Sequence, residues 1–236
     1  MCRQSQTEQD RIVYDMYWTL QPPGARAPHE SLPAVLDQIE GRPGATLIDL
    51  GCGTGRNALI AAEHGCRVLA VDHNARAVEQ LTSAAEAGSL PIEVIEADFV
   101  SWMRSHRDEA DAVICINALH HVSPDAKYIA EVLRGMADLL HEGGLLLIGL
   151  LTDIRYGNLA PPPGRLLMSE EQGRELLTTS LHDLELVELT RDFSRKDNAL
   201  LFDQEAKALV ETFYEAAQVN ALFRKQSQVI VPDSIN

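Results

Sequence analysis

The stretch Leu47–Asn57, which reads LIDLGCGTGRN, decides the fold of this chain. An apolar run ends within it, glycines follow at positions 51, 53 and 55, and the residues beyond them are typical of a helix. Because glycine carries no Cβ, its backbone can take left-handed dihedral angles and lie close against a ligand. The pattern predicts a buried strand that ends against a nucleotide-like ligand.

The spacing of the glycines distinguishes two kinds of nucleotide-binding loop. A dinucleotide-binding loop reads G-x-G-x-x-G, and its third glycine packs the helix against the sheet. Arg56 occupies that third position here, whereas the acidic residue Asp49 stands two positions before the first glycine. The sequence therefore favours a G-x-G-x-G loop over a pyrophosphate-binding loop, although glycines also cluster in ordinary turns.

Two further predicted strands end at acidic residues. The apolar run 67–72 ends at Asp72, and the run 92–96 is followed by Asp98 and Phe99. A carboxylate at such a strand end can accept hydrogen bonds from both hydroxyls of a ribose. Dinucleotide sites use an acid at a similar distance, so Asp72 alone does not separate the cofactor classes.

A fourth predicted strand begins at residue 111 and ends at Asn117. Ser123, Pro124 and Asp125 follow it and predict a helix start, with the serine as N-cap and proline in the first helical position. Ligands of open α/β sheets bind outside the carboxyl ends of the strands. The four strand ends therefore predict one shared crevice.

In their order, these four segments resemble the class I S-adenosylmethionine-dependent methyltransferases. The resemblance implies an α/β fold: a Rossmann-like, doubly wound, seven-stranded sheet, mostly parallel with an antiparallel C-terminal hairpin and flanked by helices. S-adenosyl-L-methionine is the implied cofactor, with its ribose at Asp72 and its adenine at Asp98 and Phe99. Its methionine portion falls to Gly51 and Asn117. The complete implied set of cofactor-binding residues is Asp49, Gly51, Cys52, Gly53, Gly55, Asn57, Asp72, His73, Asp98, Phe99 and Asn117.

The implied reaction is transfer of the cofactor methyl group to an O, N, S or C atom of a small-molecule acceptor. Because a sulfonium methyl is already activated, alignment and exclusion of water can supply much of the acceleration, and no catalytic base is required. His120 and His121 are weak candidates for a base, since imidazole titrates near neutrality. A paired histidine is also frequent in the family without a catalytic role.

An aromatic cluster near the N-terminus is predicted to cover the cofactor and the acceptor. Aromatic faces can surround a sulfonium through cation–π attraction. The cluster consists of Tyr14, Tyr17 and Trp18. This segment, together with residues 55–57, is similar to methyltransferases of the thiol and tellurite-resistance type.

The composition indicates which classes of partner the protein can bind and in which cellular compartment it works. A net charge of −15 and a pI near 4.9 disfavour a nucleic acid substrate. Four cysteines without a C-x-x-C pair indicate reduced thiols, and the sequence offers no metal-ligand spacing. The longest apolar run, residues 145–151, is too short to cross a bilayer. We predict a cytoplasmic protein that binds neither membranes nor metals.

Three parts are predicted along the chain. Residues 1–40 form an N-terminal helical lid, residues 41–203 the methyltransferase core, and residues 204–236 a C-terminal helical extension. A hairpin of residues 184–193 and 198–202 is predicted to complete the sheet within the core. An amphipathic stripe predicts the final helix, which packs on its own domain or offers a homodimer contact. The stripe consists of Ala206, Leu209, Val210, Phe213, Tyr214 and Ala217.

Two other functions remain open from the sequence. One is a noncatalytic, regulatory protein that binds S-adenosylmethionine, because no convincing base is visible. The other is a nicotinamide-dependent oxidoreductase, which Arg56 in the third-glycine position and the second strand-end acid, Asp98, both disfavour. Titration with both cofactors separates the enzyme classes.

Overall fold

The computed structural model describes residue 23 and residues 26–42, 44–203 and 208–226. The predicted N-terminal helix with Tyr14, Tyr17 and Trp18 lies outside these residues. Within the part that is described, no helix is long and apolar enough to span a membrane.

Seven strands form a single sheet. They are β1 (Thr46–Leu50), β2 (Arg67–Asp72), β3 (Ile92–Glu96), β4 (Ala110–Ile116), β5 (Leu140–Arg155), β6 (Glu185–Asp203) and β7 (Ala208–Arg224). Their order across the sheet is β3-β2-β1-β4-β5-β7-β6. Strands β1 to β5 pair in parallel, whereas β7 pairs antiparallel with both β5 and β6. The predicted mostly parallel sheet with an antiparallel C-terminal hairpin is confirmed.

Helices cover both faces of this sheet. They are α1 (Leu32–Ile39), α2 (Arg56–Glu63), α3 (Ala75–Gly88), α4 (Phe99–Ser105), α5 (Ala126–Asp138) and α6 (Glu170–Ser180), with a 3₁₀ turn over Leu119–His121. Buried residues of α1, α2 and α3 pack against one face of the central strands. Those of α4, α5 and α6 pack against the other face. Both faces of the parallel strands are therefore apolar, as a doubly wound fold requires.

Capping hydrogen bonds begin two of the helices. Ser169 and Gln172 form a capping box at the start of α6, each side chain bonding the backbone of the other. The N-cap of α5 is Asp125 and not the predicted Ser123, because the Asp125 carboxylate accepts from Lys127 N at 2.9 Å. The serine hydroxyl instead accepts from Asp125 N at 3.1 Å, and Ser123 lies two residues before the N-cap.

The helix predicted after residue 203 is wrong over its described part. Residues 208–224 form β7, which lies between β5 and β6, so the sheet extends past the predicted core boundary. Strand β6 also continues through the predicted turn at 194–197. Residues 216–223 of β7 are mostly buried, whereas residues 210–215, which carry most of the described part of the predicted stripe, are half-buried or exposed. The spacing of apolar residues in that short stripe fits a strand as well as a helix. Over residues 208–226 the predicted homodimer contact therefore lacks the helix on which it was based.

The last two strands extend beyond the rest of the sheet. Pairing of β5 with β7 ends at Arg155 and Glu215, whereas pairing of β6 with β7 continues to Asp203 and Ala208. Because β5 runs parallel to β1, this two-stranded arm projects past the edge at which the glycine loop lies.

Candidate functional site

The glycine loop between β1 and α2 forms the floor of the crevice. Gly51 has φ 74° and Gly55 has φ 84°, both in the left-handed region. A Cβ on Gly51 would lie 2.5 Å from the Cβ of Ala118, and one on Gly55 would lie 2.2 Å from a methyl of Leu81. Both backbone conformation and close packing therefore require glycine at these two positions.

Asp72 fixes the loop from the end of β2. One carboxylate oxygen accepts from Gly53 N at 2.8 Å and the other from Asn74 N at 2.9 Å. The residue is 6% exposed. An ionised carboxylate offers about four acceptor positions, so two remain for further donors such as ribose hydroxyls.

Asp49 lies beneath the loop with one oxygen unsatisfied. The residue is 2% exposed, and its Oδ2 has no hydrogen-bond partner among the residues that the structure describes. Burial raises the pKa of Asp49 to about 7, although the positive charge of Arg56 opposes the shift. A buried acceptor of this kind requires a donor, and an ammonium group or a water molecule would satisfy it.

Asn117 follows β4 in a left-handed conformation, with φ 58°. Its backbone N–H donates to Gly149 O at 2.8 Å, which ties the end of β4 to β5. Its side-chain oxygen is buried and lacks a partner in the described part of the chain. Unusual backbone geometry that places an unsatisfied polar atom at a strand end is typical of a binding site.

Asp98 and Phe99 begin α4 at the end of β3. Asp98 caps the helix, because its carboxylate accepts from Ser101 N at 2.8 Å. Phe99 is buried, and a ring carbon lies 3.8 Å from the position of a Cβ on Gly51. The ring therefore borders the glycine loop, where an aromatic face can pack against a heterocycle.

Two other predicted cofactor residues occupy different surroundings. The His73 side chain is exposed, with Nδ1 3.7 Å from an oxygen of Asp72. Cys52 is buried within the loop, its Sγ 3.6 Å from Gly53 O, and burial raises the pKa of its thiol. Cys52 therefore shapes the loop as a neutral thiol.

The structure argues against His120 as a general base. Burial, assisted by the charge of Arg165, lowers the pKa of His120 to about 3. Its ring packs against that of His121 with the centroids 3.7 Å apart. A group whose conjugate acid is this strong stays neutral at physiological pH and accepts a proton poorly.

Asn57 serves a contact that the sequence did not predict. Its Oδ1 accepts from His29 N at 2.8 Å, so the first turn of α2 holds the chain before α1. The His29 ring reaches β7, where Nε2 lies 3.0 Å from Asn220 Oδ1. Asn220 in turn donates to Asp192 on β6 at 2.7 Å.

This polar cluster lacked a local sequence signal, since His29 and Asn220 are 191 positions apart. The one available hint was a pair of amides, Gln218 and Asn220, that alternate with the apolar residues of a buried segment. Within the described ranges, no group of three or more His, Cys, Asp or Glu residues is arranged to hold a metal ion.

Comparison with known proteins agrees with this geometry. Residues 47–144 match the model of a family described as a methyltransferase domain. Over these residues the chain is similar to methyltransferase domains. The match covers the glycine loop and the ends of β1 to β4, which are the elements that form the crevice.

The curated relatives align with this chain over only part of their length. Carboxy-S-adenosyl-L-methionine synthase of Vibrio cholerae is 29% identical over 149 residues, which are 60% of this chain and 52% of that protein. Ubiquinone biosynthesis O-methyltransferase of Xanthomonas campestris is 28% identical over 151 residues, 62% of this chain and 61% of that protein. The chain thus spans between half and two thirds of these relatives.

A solved structure shows the same fold over nearly the whole chain. The 1,6-didemethyltoxoflavin-N1-methyltransferase of Burkholderia thailandensis superposes with a TM-score of 0.59 at 17% identity. It covers 96% of this chain and 92% of its own, and contains bound S-adenosylhomocysteine. This structural similarity therefore reaches beyond residues 47–144 and includes the C-terminal hairpin.

Proposed function

We propose that this protein transfers the methyl group of S-adenosyl-L-methionine to a small-molecule acceptor. One observation carries the proposal: a glycine cradle, a buried carboxylate with free acceptor positions and two unsatisfied buried oxygens meet at the ends of neighbouring strands. S-adenosylmethionine offers matching groups, since it carries ribose hydroxyls, an ammonium group and a flat adenine.

We assign the parts of the cofactor by the donors and acceptors that each requires. Asp72 accepts from the ribose hydroxyls, and Phe99 packs against the adenine beside Asp98. Asp49 and Asn117 supply unsatisfied oxygens for the ammonium group of the methionine portion. Asn57 acts indirectly, because its amide oxygen already holds the backbone of His29.

The proposed chemistry is a single displacement. The nucleophile of the acceptor bonds to the methyl carbon, the carbon–sulfur bond breaks, and its electron pair stays on sulfur to give S-adenosylhomocysteine. The proton that the acceptor loses passes to the bulk solvent outside the crevice, since His120 is too weak a base to receive it. The protein contributes alignment and a dry crevice.

The net charge of the chain and the names of its relatives support a small-molecule acceptor. The net charge of −15 favours a small molecule over a nucleic acid. The named relatives include an O-methyltransferase and an N-methyltransferase, which supports oxygen or nitrogen as the accepting atom. Three described cysteines are free thiols, which suits the reducing cytoplasm.

Calorimetric titration with S-adenosylmethionine, S-adenosylhomocysteine and NAD tests the proposal. We expect micromolar binding of the adenosyl ligands and none of NAD, because Arg56 takes the place of the third dinucleotide glycine. Binding of NAD alone would contradict the proposal. Formation of S-adenosylhomocysteine with any acceptor separates an enzyme from a noncatalytic binding protein.

A further inference from the structure

Strand β6 forms an open edge of the sheet. It is the outermost strand in the order β3-β2-β1-β4-β5-β7-β6, and among the described residues no strand pairs with its outer side. Alternate residues of such a strand direct their backbone N–H and C=O groups away from the sheet, where another strand can bind them. With 19 residues, β6 is the longest of the seven strands, so this edge offers an extended surface for pairing.

Exposed apolar side chains lie on the same strand. Phe193 is 57% exposed, and Leu186 and Val187 are 42% and 40% exposed. Of the four large apolar side chains that are exposed in the described part of the chain, three therefore belong to β6. Exposed apolar residues on an unpaired edge favour contact with another chain.

The middle of β6 is the part that best suits such a contact. Its pairing with β7 is regular from Glu188 to Lys196, between one register shift at Leu186/Glu188 and another at Lys196/Ala199. Residues 193–197 are exposed. Bulges turn an edge strand away from a partner, so the regular stretch between the two shifts is where a second strand can follow β6.

The sequence of this stretch is complementary to itself. Residues 191–197 read RDFSRKD, and antiparallel pairing of two copies about Ser194 places each of the other residues opposite one of complementary character. The opposed pairs are Asp192 with Lys196, Arg191 with Asp197, and Phe193 with Arg195. Opposite charges across strands stabilise a pair, as does a guanidinium beside an aromatic ring. Two-fold symmetry makes each of these pairs occur twice.

Other registers of the two strands lack this complementarity. Moving the centre by one residue places Arg191 opposite Arg195 in one direction and Arg195 opposite itself in the other. The intermediate shifts place Arg191 opposite Lys196 or Asp192 opposite Asp197. Like charges directly opposite each other destabilise antiparallel strands, so the charges favour the register centred on Ser194.

The surroundings of Asp192 independently favour the same register. Its hydrogen bond with Glu30, together with burial and the charges of Asp192 and Glu188, raises the pKa of the Glu30 carboxyl. Such a rise indicates a local excess of negative charge. Within the described ranges, neither Asp192 nor Lys196 belongs to an ion pair. Lys196 of a second copy would bring a positive charge to this acidic group.

We propose that two copies of this chain associate by antiparallel pairing of their β6 strands about Ser194, with Asp192 of each copy against Lys196 of the other. The two seven-stranded sheets then form one continuous sheet around a two-fold axis. The contact is short, so we expect a dissociation constant in the micromolar range. It does not depend on the proposed methyl transfer, because β4, β5 and β7 separate β6 from the strand that carries the glycine loop.

The net charge of the chain does not prevent this contact. Two copies that each carry a charge of −15 repel each other in general. Residues 191–197, however, carry three basic and two acidic side chains, so this stretch is weakly positive within an acidic protein. The repulsion between copies is therefore smallest where the two strands meet.

Sedimentation velocity of the full chain, at concentrations from about 1 to about 500 μM, tests the contact. We expect a monomer–dimer equilibrium that shifts with concentration. Lys196→Glu turns both symmetric charge pairs into like-charge pairs, so the dissociation constant should rise at least about tenfold. Lys127→Glu makes the same change of charge at an exposed position of α5 and should leave the equilibrium unchanged.

A mixture of two variants tests the register. Asp192→Lys alone should also weaken the dimer, because it places two lysines opposite each other. An equal mixture of Asp192→Lys and Lys196→Glu restores both opposite-charge pairs between unlike copies, and we expect it to associate within about threefold of the unmodified protein. The melting temperature of each variant, measured alone, shows whether its fold is intact.

A cysteine on the two-fold axis tests the contact without a change of charge. Ser194→Cys, in a Cys2→Ser background, places two thiols opposite each other, where the Cα atoms of opposed antiparallel residues lie about 4.5 to 5.5 Å apart. That separation suits a disulfide. The other cysteines, Cys52, Cys66 and Cys115, are buried. We expect mild oxidation to give a covalent dimer.

Glu188→Cys in the same background is the control for random collision. It is exposed on the same strand, but in this register its two copies lie about 40 Å apart and should not cross-link. A protein that stays monomeric at about 500 μM would overturn the inference, as would a dimer that Lys196→Glu leaves unchanged. Equal cross-linking of the two cysteine variants, or a mixture of folded charge variants that stays dissociated, would also overturn it. If a charge variant does not fold, the cross-linking result decides.

Discussion

Asp72 combines two tasks in one carboxylate. It ties the glycine loop to the start of α3 through Gly53 N and Asn74 N, and in the proposed complex it also accepts from ribose. A change at this residue therefore affects the loop and the ligand together.

We expect Asp72→Asn to weaken cofactor binding by roughly 1 to 3 kcal/mol, the usual cost of losing a charge-assisted or buried hydrogen bond. The new amide NH₂ also faces a backbone donor, so the melting temperature should fall. Calorimetric titration with S-adenosylhomocysteine measures the effect. Asp37→Asn, at an exposed position of α1, is the matched control, and equal affinities in the two variants would refute the ribose assignment.

A comparison of substitutions at Gly51 and Gly65 distinguishes the cost of backbone strain from the cost of a steric clash. Both have positive φ, but a Cβ on Gly65 meets nothing within 4 Å, whereas one on Gly51 meets Ala118. We expect Gly65→Ala to cost about 1 kcal/mol of stability, as strain alone does, without changing cofactor affinity. Gly51→Ala should cost more and should weaken cofactor binding at least about tenfold, since Ala118 or the loop must move. Urea denaturation and cofactor titration of both variants check this difference.

The sequence could predict those site residues whose role is recorded in a short motif. The glycine loop and the acids at 49, 72 and 98 belong to short motifs in which neighbouring residues carry the signal. His29 and Gln218 depend on strand pairing between distant segments, which no local pattern records. The neutral state of His120 likewise follows from burial, which the His-His pair alone does not indicate.

At the scale of elements, the start of α5 shows how one hydrogen bond places a helix boundary. Asp125 accepts from Lys127 N, whereas Ser123 accepts from Asp125 N outside the helix. We expect Asp125→Ala to destabilise the protein by about 1 kcal/mol, the typical value of an N-cap. Ser123→Ala is the control and should cost less. Urea denaturation of both variants gives the comparison, and a larger loss for Ser123→Ala would restore the serine cap predicted from sequence.

The hairpin of β6 and β7 shows where the spacing of apolar residues failed to predict the secondary structure. The sequence correctly indicated an antiparallel C-terminal hairpin but placed both of its strands before residue 203. Alternate residues of β7 face two different cores, so Val219 and Phe223 lie in one and Leu222 in the other. This doubly buried part begins at Ala216, where the predicted stripe ends, and within the stripe the spacing of the apolar residues fits a helix as well as a strand.

At the scale of the molecule, stability should depend on pH through a cluster remote from the crevice. Asp111 accepts from His141 Nε2 at 2.9 Å, from Arg42 at 3.0 Å and from Thr46 N at 2.9 Å. The hydrogen bond to Asp111 raises the pKa of His141. Burial acts to raise the pKa of Asp111, but the hydrogen bonds from His141, Thr46 and Arg42 outweigh it and lower that pKa.

The two shifts define a window of pH. A raised histidine pKa stabilises the fold below the ordinary histidine pKa of 6.5, and the effect disappears as pH rises through the folded-state pKa. A lowered aspartate pKa stabilises the fold above the ordinary aspartate pKa of 3.8, and the effect disappears as pH falls through the folded-state pKa. We expect His141→Gln to lower the melting temperature most near pH 5.5 and least near pH 8.5. His182→Gln, on an exposed histidine, controls for the substitution, and an equal loss at both pH values would argue against the ion pair.

The position of β7 also determines when the fold can close during synthesis. The central strand β5 is apolar over residues 145–151, and its partner on one side is the last strand of the described chain. Until that strand leaves the ribosome, β5 presents an unpaired apolar edge, which invites pairing with other chains. A chain cut after residue 203 would keep every motif of the crevice and still lack the strand that seals β5, so we expect it to aggregate.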